Sequence, residues 1–494
     1  MLRITLSPDS PTPLTDQIVA ALCARVDDRV LRPGMRLPPI RQFSADHGVS
    51  RFTVVEAYDR LVALGYVQSR RGSGFYVAGR PAPARTGETD TGVERAIDAA
   101  WLMREMASGG PERLLAGTGN MPVAWLDEAG VRRALRSLAR RPDVRPASYG
   151  TAQGYAPLRA QLQIQLAGHG IRATPEQIVL TYGAHQALDI LCKYFLKPGD
   201  CVLVDDPGYW NLFGNLRLYG VALLGVPRTP EGPDTAALEA LLAHHKPRLF
   251  FTQSVFHNPT SGCLSPACAF RVLQLAARHD FMIVEDDIVG DIAGPAATRL
   301  ASLDQLERVI FVGSFSKTLS GNLRVGFLAC RPDLARLLTD VKIVSMMSSA
   351  EFSEQLVHQM LTDGHYRKLL ERLRDRIADA TGRSLRQLER LGLHPDPEPA
   401  GGTFLWVPLP GVKDTAELAR VALQDDILLA PGSVFRPQNQ PSPYLRVHVA
   451  HGDDPRLLRF LARALDDAHK KRASPEGRPG EALTNAADRL SGIP

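Results

Sequence analysis

The stretch Phe311–Gly326, FVGSFSKTLSGNLRVG, decides how the rest of the chain is read. Val309, Ile310, Phe311 and Val312 form an apolar run of the kind that makes a buried strand. The run breaks at Gly313 into the small hydroxyl residues Ser314 and Ser316. Lys317 follows at once, and Arg324 lies seven residues further on. A lysine delivered at the end of a buried strand is placed to lose its charge by desolvation, which frees the amine to attack a carbonyl. Serine hydroxyls and an arginine beside it suit a phosphate, which takes donors and a planar cationic fork. A lysine able to form a Schiff base next to a phosphate site points to pyridoxal phosphate. A solvated loop lysine is the competing reading, and the neighbouring segments have to decide between them.

Working outward, the 494 residues allow two or three domains with at least one large core. A composition of 44% apolar and 22% charged residues is that of a soluble globular chain rather than a disordered or membrane-embedded one. No apolar run approaches the length that spans a bilayer, and MLRITLSPDS at the N-terminus lacks the apolar centre of a secretory signal. Six cysteines, with no CxxC pair, fit a reduced cytoplasmic protein without a structural zinc site or other metal. The net charge of +5 is unevenly placed: residues 1–80 hold eleven Arg, no Lys and seven Asp or Glu, a net of +4. That excess favours an anionic partner for the first sixth of the chain.

Within that segment Leu14 to Val30 places Ile18, Ala21, Leu22, Val26 and Val30 near a helical period, with Pro33-Gly34 as its stop. A second helix fits Pro39 to His47, with Ile40, Phe43 and Ala45 apolar. Gly48 can take the positive φ of a tight corner, and Ser50 suits the N-cap of a third helix from Arg51 to about Leu64. That helix would bury Val54, Ala57, Tyr58 and Leu61. Tyr66–Arg70 and Gly74–Val77 alternate as two strands around Arg71-Gly72-Ser73, a hairpin signal. Three helices and a basic hairpin make a winged helix–turn–helix. The run LRPGMRLPPIRQFSADHGVSRFTVVEAYDRLVALGYVQSRRGSGFYV resembles the GntR family of bacterial regulators without a break. The resemblance implies a third helix in the major groove of double-stranded operator DNA and a wing in the minor groove. By position it puts Arg41, Ser50, Arg51 and Thr53 at phosphates and base edges, and Arg70, Arg71 and Gly72 at the wing. Short hydroxyls and arginines at the start of a recognition helix have the chemistry for both tasks. Some family members carry a further arginine where Val55 stands, so specificity is expected to differ.

Gly79 to Val93, GRPAPARTGETDTGV, has the composition of a flexible linker, with a helical extension expected from Glu94 to Met106. From about Leu114 short apolar runs alternate with helical stretches. Strands are expected at 178–181, 201–205, 249–253, 282–285 and 309–312, and helices at 187–196, 235–244 and 266–278. This alternation predicts a mostly parallel sheet covered on both faces, with ligands at the carboxyl ends of its strands. The residues with chemistry do follow strands. Tyr182-Gly183-Ala184-His185 is a glycine turn into a helix, whose free N–H groups can hold a phosphate. Asp206-Pro207-Gly208-Tyr209 offers a ring to stack on a flat cofactor, against the plainer reading of an exposed turn tyrosine. HNPTSG (257–262) follows the third strand, and Asp286-Asp287 the fourth. A strand-end carboxylate can pair with a pyridinium nitrogen, although acidic pairs also cap helices.

In that order the motifs resemble the fold-type I aminotransferases of class I and II, over residues from about 115 to 465. The resemblance implies that Lys317 forms the Schiff base with pyridoxal phosphate and that Asp286 pairs with its ring nitrogen. Asn258 would contact the phenolic oxygen and Tyr209 would stack on the ring. Gly183, Ala184, His185, Ser314, Ser316 and Arg324 would surround the phosphate, joined by Tyr149 of YGTAQGYAPLR from a neighbouring subunit. Arg446, in YLRV, would grip the carboxylate of a substrate or effector. Two positions depart from the pattern. Val289 stands where the family has a tyrosine that donates to the phenolic oxygen, and Ala184 lacks a hydroxyl common in the phosphate cup.

A GntR-like head on an aminotransferase-like body is the arrangement of MocR-type regulators, which the chain resembles along nearly its whole length. The expected domains are a winged-helix head at 1–78, a linker at 79–112, an α/β fold-type I body at 113–469 and a mobile tail at 470–494. The expected function is DNA-binding transcriptional regulation in a homodimer, modulated by the cofactor or by its adduct with a small amino compound or amino acid. Two alternatives remain at this point: an active aminotransferase of an α-amino acid carrying a DNA-binding head, and a DNA-binding protein whose body only dimerises.

Overall fold

A computed structural model describes residues 4–8, 10–28, 30–70, 72–78, 104–105, 110, 112–145 and 147–473. Arg71, the linker other than Arg104, Glu105, Gly110 and Glu112, and residues 474–494 lie outside the described residues. The chain divides into two units, Met1–Glu94 and Arg95–Pro494.

The first unit carries α1 (Leu14–Asp27), α2 (Ile40–His47), α3 (Arg51–Ala63) and a hairpin of β1 (Val67–Arg70) and β2 (Gly74–Val77). Gly48 ends α2 at φ 64, in the left-handed region that admits glycine without strain. Ser50 caps α3, its Oγ accepting the Thr53 backbone N–H at 3.0 Å. Val54, Ala57, Tyr58 and Leu61 are fully buried with Phe43, as the helical period requires. The first helix stops earlier than Pro33-Gly34 would place it. The chain turns after Asp27, the Leu31 N–H bonds the Arg25 carbonyl, and Leu31 is buried while Val30 is left 59% exposed. Ala45 of α2 is also exposed.

The second unit is built on an eight-stranded sheet of β3 (Ile178–Thr181), β4 (Cys201–Asp206), β5 (Ala222–Thr229), β6 (Gly232–Pro233), β7 (Leu249–Thr252), β8 (Met282–Asp286), β9 (Val309–Ser314) and β10 (Gly326–Ala329). Their order is β3-β10-β9-β8-β7-β4-β5-β6. The run from β9 to β5 is parallel, whereas β10 lies antiparallel to both its neighbours and β6 antiparallel to β5. Alternation along each strand feeds two cores. Val309 and Phe311 join one apolar cluster, while Ile310 and Val312 join the other. A smaller antiparallel sheet, β11 (Phe404–Pro408), β12 (Ala430–Pro431) and β13 (Tyr444–His448), places β13 in the middle. The last helix, Pro455–Ala473, continues past Lys470, where the sequence reading began the tail. Among the described residues no helix is long and apolar enough to cross a membrane.

The strand before Lys317 does not break at Gly313. It continues to Ser314, with Gly313 opposite Phe327 and Ser314 opposite Gly326. Glycine is needed there for room: a Cβ on Gly313 would lie 2.5 Å from the Phe327 ring. Gly313→Val is therefore expected to lower the unfolding temperature of the body, by an overpacking cost of about 1–3 kcal/mol. Phe327→Ala combined with it should recover part of the loss in calorimetry, whereas additive losses would show that the ring is not what excludes the side chain.

Candidate active site

Four parallel strands end side by side and deliver the site. Tyr209 follows β4, Gln253 and Asn258 follow β7, Asp286 ends β8, and Lys317 comes three residues after β9. Arg446 enters from β13. A cavity of about 500 Å³ is lined by Gly119, Asn120, His185, Tyr209, Gln253, Asn258, Val289, Lys317, Arg324, Phe404 and Arg446, with further apolar walls from Met121, Phe256 and Ile288.

Asp286 is buried against Gln253 of the cavity wall. Its Oδ2 accepts from Gln253 Nε2 at 2.9 Å, and its Oδ1, also buried, has no partner among the described residues. Burial, aided by the Asp287 charge, pushes its pKa up to about 7, against the opposing pull of the Gln253 hydrogen bond and the Lys317 ammonium. Gln253 is held on three sides. Its backbone N–H donates to Asp205 Oδ2 at 3.2 Å, and its Oε1 accepts the Asn258 N–H at 2.8 Å. Asp205 is in turn fixed by the buried guanidinium of Arg228 at 2.9 Å and by Thr252 Oγ1. On the other side, Asp287 pairs with the fully buried Arg299 at 2.7 Å, and Arg299 also donates to the Gly290 carbonyl. The turn carrying Ile288 and Val289 is thereby locked.

Lys317 is partly buried, its Nζ donating to the Gly119 carbonyl at 2.7 Å and to Asn120 Oδ1 at 3.3 Å. Desolvation first, then the Arg446 and Arg324 cations, draw its pKa down to about 8, while Asp286 pulls the other way. This amine can shed its proton near neutrality, the state a nucleophile requires. Arg446 is 1% exposed and lies over the rings of Phe404 and Phe435, at 4.3 and 4.8 Å from their centroids. It donates to Asn258 Oδ1 at 2.8 Å and to the Gly117 carbonyl at 2.7 Å, and among the described residues its buried Nε has no partner. Desolvation pulls it down to about 9, and among the described residues no carboxylate pairs with it.

Of the proposed phosphate ligands, Gly183, Ala184 and His185 form the start of the helix Gly183–Phe195. Gly183 has φ +72, and a Cβ on it would meet Arg324 Nη2 at 2.8 Å; Arg324 itself donates to the Tyr182 carbonyl at 2.9 Å. Gly326 lets β10 press against this turn, since its Cβ would sit 2.6 Å from the Gly183 carbonyl carbon. Ala184 is part-buried in the same first turn, and His185 stands exposed with Nδ1 3.4 Å from Asn211 Nδ2. Ser314 Oγ bonds Ser316 Oγ at 3.1 Å and accepts the Ser316 N–H. Tyr149 is not brought to this cavity: it is 83% exposed and lines a separate groove with Tyr182, Met346 and Met347. On the head, Arg41, Arg51, Arg70 and Gly72 are exposed, and the Arg70 guanidinium lies 4.5 Å from the Tyr76 ring centroid. Gln253, Gly119 and Asn120 were not singled out in the sequence. Gln253 was detectable, because it directly follows β7 at the carboxyl edge where ligands bind.

The class defined by this fold and site is also found by comparison with known proteins. The family model for aminotransferase class I and II matches residues 117–463, and that for bacterial regulatory proteins of the gntR family matches residues 14–77. The chain belongs to the MocR-type regulators, which join a GntR head to a class I/II aminotransferase body. It is 33% identical to the 2-aminoadipate transaminase of Thermus thermophilus over 71% of this chain and 90% of that one. It is 30% identical to the probable rhizopine catabolism regulatory protein MocR of Rhizobium meliloti, over 76% of this chain and 77% of that one. Among solved structures, the α-aminoadipate aminotransferase LysN of Thermus thermophilus, complexed with N-(5'-phosphopyridoxyl)-L-leucine, superposes with a TM-score of 0.68 at 30% identity, covering 75% of this chain and 95% of that one. The family implies pyridoxal phosphate as cofactor, and the residues present fit it: a buried carboxylate oxygen without a partner among the described residues, a lysine of lowered pKa and a glycine turn backed by Arg324.

A carboxyl group whose folded pKa is raised binds more protons in the native than in the unfolded state between its two pKa values. Stability then falls as pH rises through that window, here from the ordinary aspartate value of 3.8 to about 7. In cofactor-free protein, Asp286→Asn is expected to raise the unfolding temperature at pH 8, by an effect on the order of a few kcal/mol, and to make little difference near pH 4. Equal shifts at both pH values would overturn the assignment of Asp286 as the costly buried charge.

Proposed function

We propose that this protein is a transcriptional regulator whose DNA binding responds to occupation of the Lys317 cavity by pyridoxal phosphate and by a small amino compound or amino acid. The observation that carries the reading is the buried Arg446, a desolvated cation with no carboxylate partner among the described residues, on the same chain as a GntR head. When bound, the cofactor supplies a carbonyl for the lysine amine and an electron-withdrawing ring. In this reading Lys317 holds it through its Nζ, and Asp286 Oδ1 accepts from the ring nitrogen. Tyr209 stacks on the ring, and the Asn258 amide, whose Oδ1 accepts from Arg446, offers its NH₂ to the ring oxygen. The Gly183-Ala184-His185 turn, Ser314, Ser316 and Arg324 hold the phosphate. Arg446 takes the carboxylate of the effector through a planar fork.

The protein acts as a homodimer in the cytoplasm, and Tyr149, exposed and turned from its own cavity, reaches the phosphate of the partner subunit. Residues 1–78 form the head, 79–112 the tether and 113–469 the body. Arg41, Ser50, Arg51 and Thr53 meet operator DNA, with Arg70, Arg71 and Gly72 at the wing. An effector controls this binding only through different affinities for the protein's DNA-competent and incompetent states; coupling of 1–3 kcal/mol is about 5- to 150-fold in DNA affinity.

A second reading, a transaminase carrying a DNA-binding head, is favoured by the 33% identity to a transaminase and opposed by Val289. Titrating the full chain with α-amino acids while recording its visible spectrum and its DNA affinity at fixed salt separates the two. Lys317→Ala is expected to abolish the absorbance of the lysine-linked cofactor. Arg446→Ala should keep that absorbance but lose the response of DNA binding to amino acids. Unchanged absorbance in Lys317→Ala would refute the lysine assignment, and rapid keto-acid formation with 2-oxoglutarate would favour the enzyme.

A further inference from the structure

We infer that Phe52 and Val55 of α3 read the 5-methyl group of thymine in the operator's major groove. Phe52 is 77% exposed and Val55 38% exposed. Among the described residues, neither is part of the apolar cluster that builds the head or of the half-buried side chains packed against it. Three residues apart on a helix, the two share a face and make one patch. The core side of the same helix is taken by Val54, Ala57, Tyr58 and Leu61, all fully buried, so the patch points away from the head.

The surroundings of the patch decide its occupant. Ser50 and Thr53 pair their hydroxyls at 2.7 Å on the first turn, Arg51 is exposed between Ser50 and Phe52, and Arg41 is exposed on α2. Cations and hydroxyls in this position are chemistry for phosphates, and they place the patch against a duplex rather than against an apolar protein surface. In a helix–turn–helix the first residues of the second helix of the motif are the ones that meet base edges. Phe52 is the second residue of α3. A phenyl ring has no donor or acceptor with which to read guanine or adenine. The base edge in the major groove that offers an apolar group is that of thymine, through its methyl. Val55 extends the same contact one turn along the groove, at the position where an arginine would instead read guanine.

This inference rests on the DNA-binding reading of the head, and the experiment separates the two. Duplexes enriched from a random library by the full-length chain serve as the probe. Their thymines are replaced one at a time by deoxyuridine, which removes the methyl and leaves base pairing unchanged, and affinity is measured at fixed salt. At one or two positions of the enriched site, loss of the methyl is expected to weaken binding about fourfold, the weight of one buried methyl group. Phe52→Ala should bind the thymine duplex more weakly and be indifferent to the replacement, and Phe52→Leu should regain part of the sensitivity. Absence of any uracil effect, or an effect that survives in Phe52→Ala, overturns the inference while DNA binding stands. A lowered unfolding temperature in Phe52→Ala overturns it too, because the ring would then belong to the packing. Failure to enrich any sequence overturns the DNA-binding reading together with the inference.

Discussion

The site depends on one hydrogen bond, from Gln253 to Asp286, which leaves a buried carboxylate half satisfied. Burying a carboxylate is costly, and leaving one of its oxygens open keeps most of that cost in place. The surroundings compensate by rigidity rather than by neutralisation. Asp205, Arg228 and Thr252 fix Gln253 from the β4–β7 side, and Asp287 with Arg299 fixes the turn beyond β8. A floor held this firmly presents Oδ1 at a defined place, which the proposed contact with a ring nitrogen requires. The counterpart is the pair of cations above it. Desolvation depresses the charged state of both, the Arg446 cation adds to the effect on Lys317, and Arg446 is stacked on aromatic rings; among the described residues no acid pairs with it. The cavity wall thus carries desolvated cations, with the half-satisfied carboxylate of Asp286 behind Gln253, and the site is suited to a ligand that carries charge of both signs.

How much of this was legible in the sequence follows from where each contact lies along the chain. Lys317, Asp286, Asn258 and Tyr209 could be placed because each follows an apolar run, and strand ends in a parallel sheet converge on one edge. The helices of the head were legible for a similar reason, since their apolar period and the Ser50 cap are local. What escaped were contacts made only in space. The Lys317 ammonium rests on Gly119 and Asn120, 198 and 197 residues away, and nothing in the local pattern of either segment announces the other. The antiparallel β10 and the small sheet around β13 are not legible because β10 and β12 are only four and two residues long and the charged Arg446 interrupts the apolar run of β13. The apparent break at Gly313 was misread for a steric reason: the glycine lies inside the strand and makes room for Phe327, a residue of the neighbouring strand.

The balance between sensing and catalysis turns on Asn258 and Val289. With its Oδ1 engaged by Arg446, Asn258 has its amide hydrogens to give, and Val289 can add no donor of its own at the same cavity wall. In the proposed reading, the ring oxygen is therefore held by one donor that is itself tied to the carboxylate-binding arginine. Any ligand that draws Arg446 toward itself alters the partner of Asn258, and through Gln253 this chain of hydrogen bonds reaches Asp286. Such a connection suits a protein that must report occupancy. Turnover demands interactions that strengthen only in the transition state, whereas a sensor needs interactions that differ between two resting states of the protein. In the proposed reading, the lack of a donor at Val289 weakens the first requirement and leaves the second untouched, because a held ligand with a carboxylate would still engage the buried guanidinium.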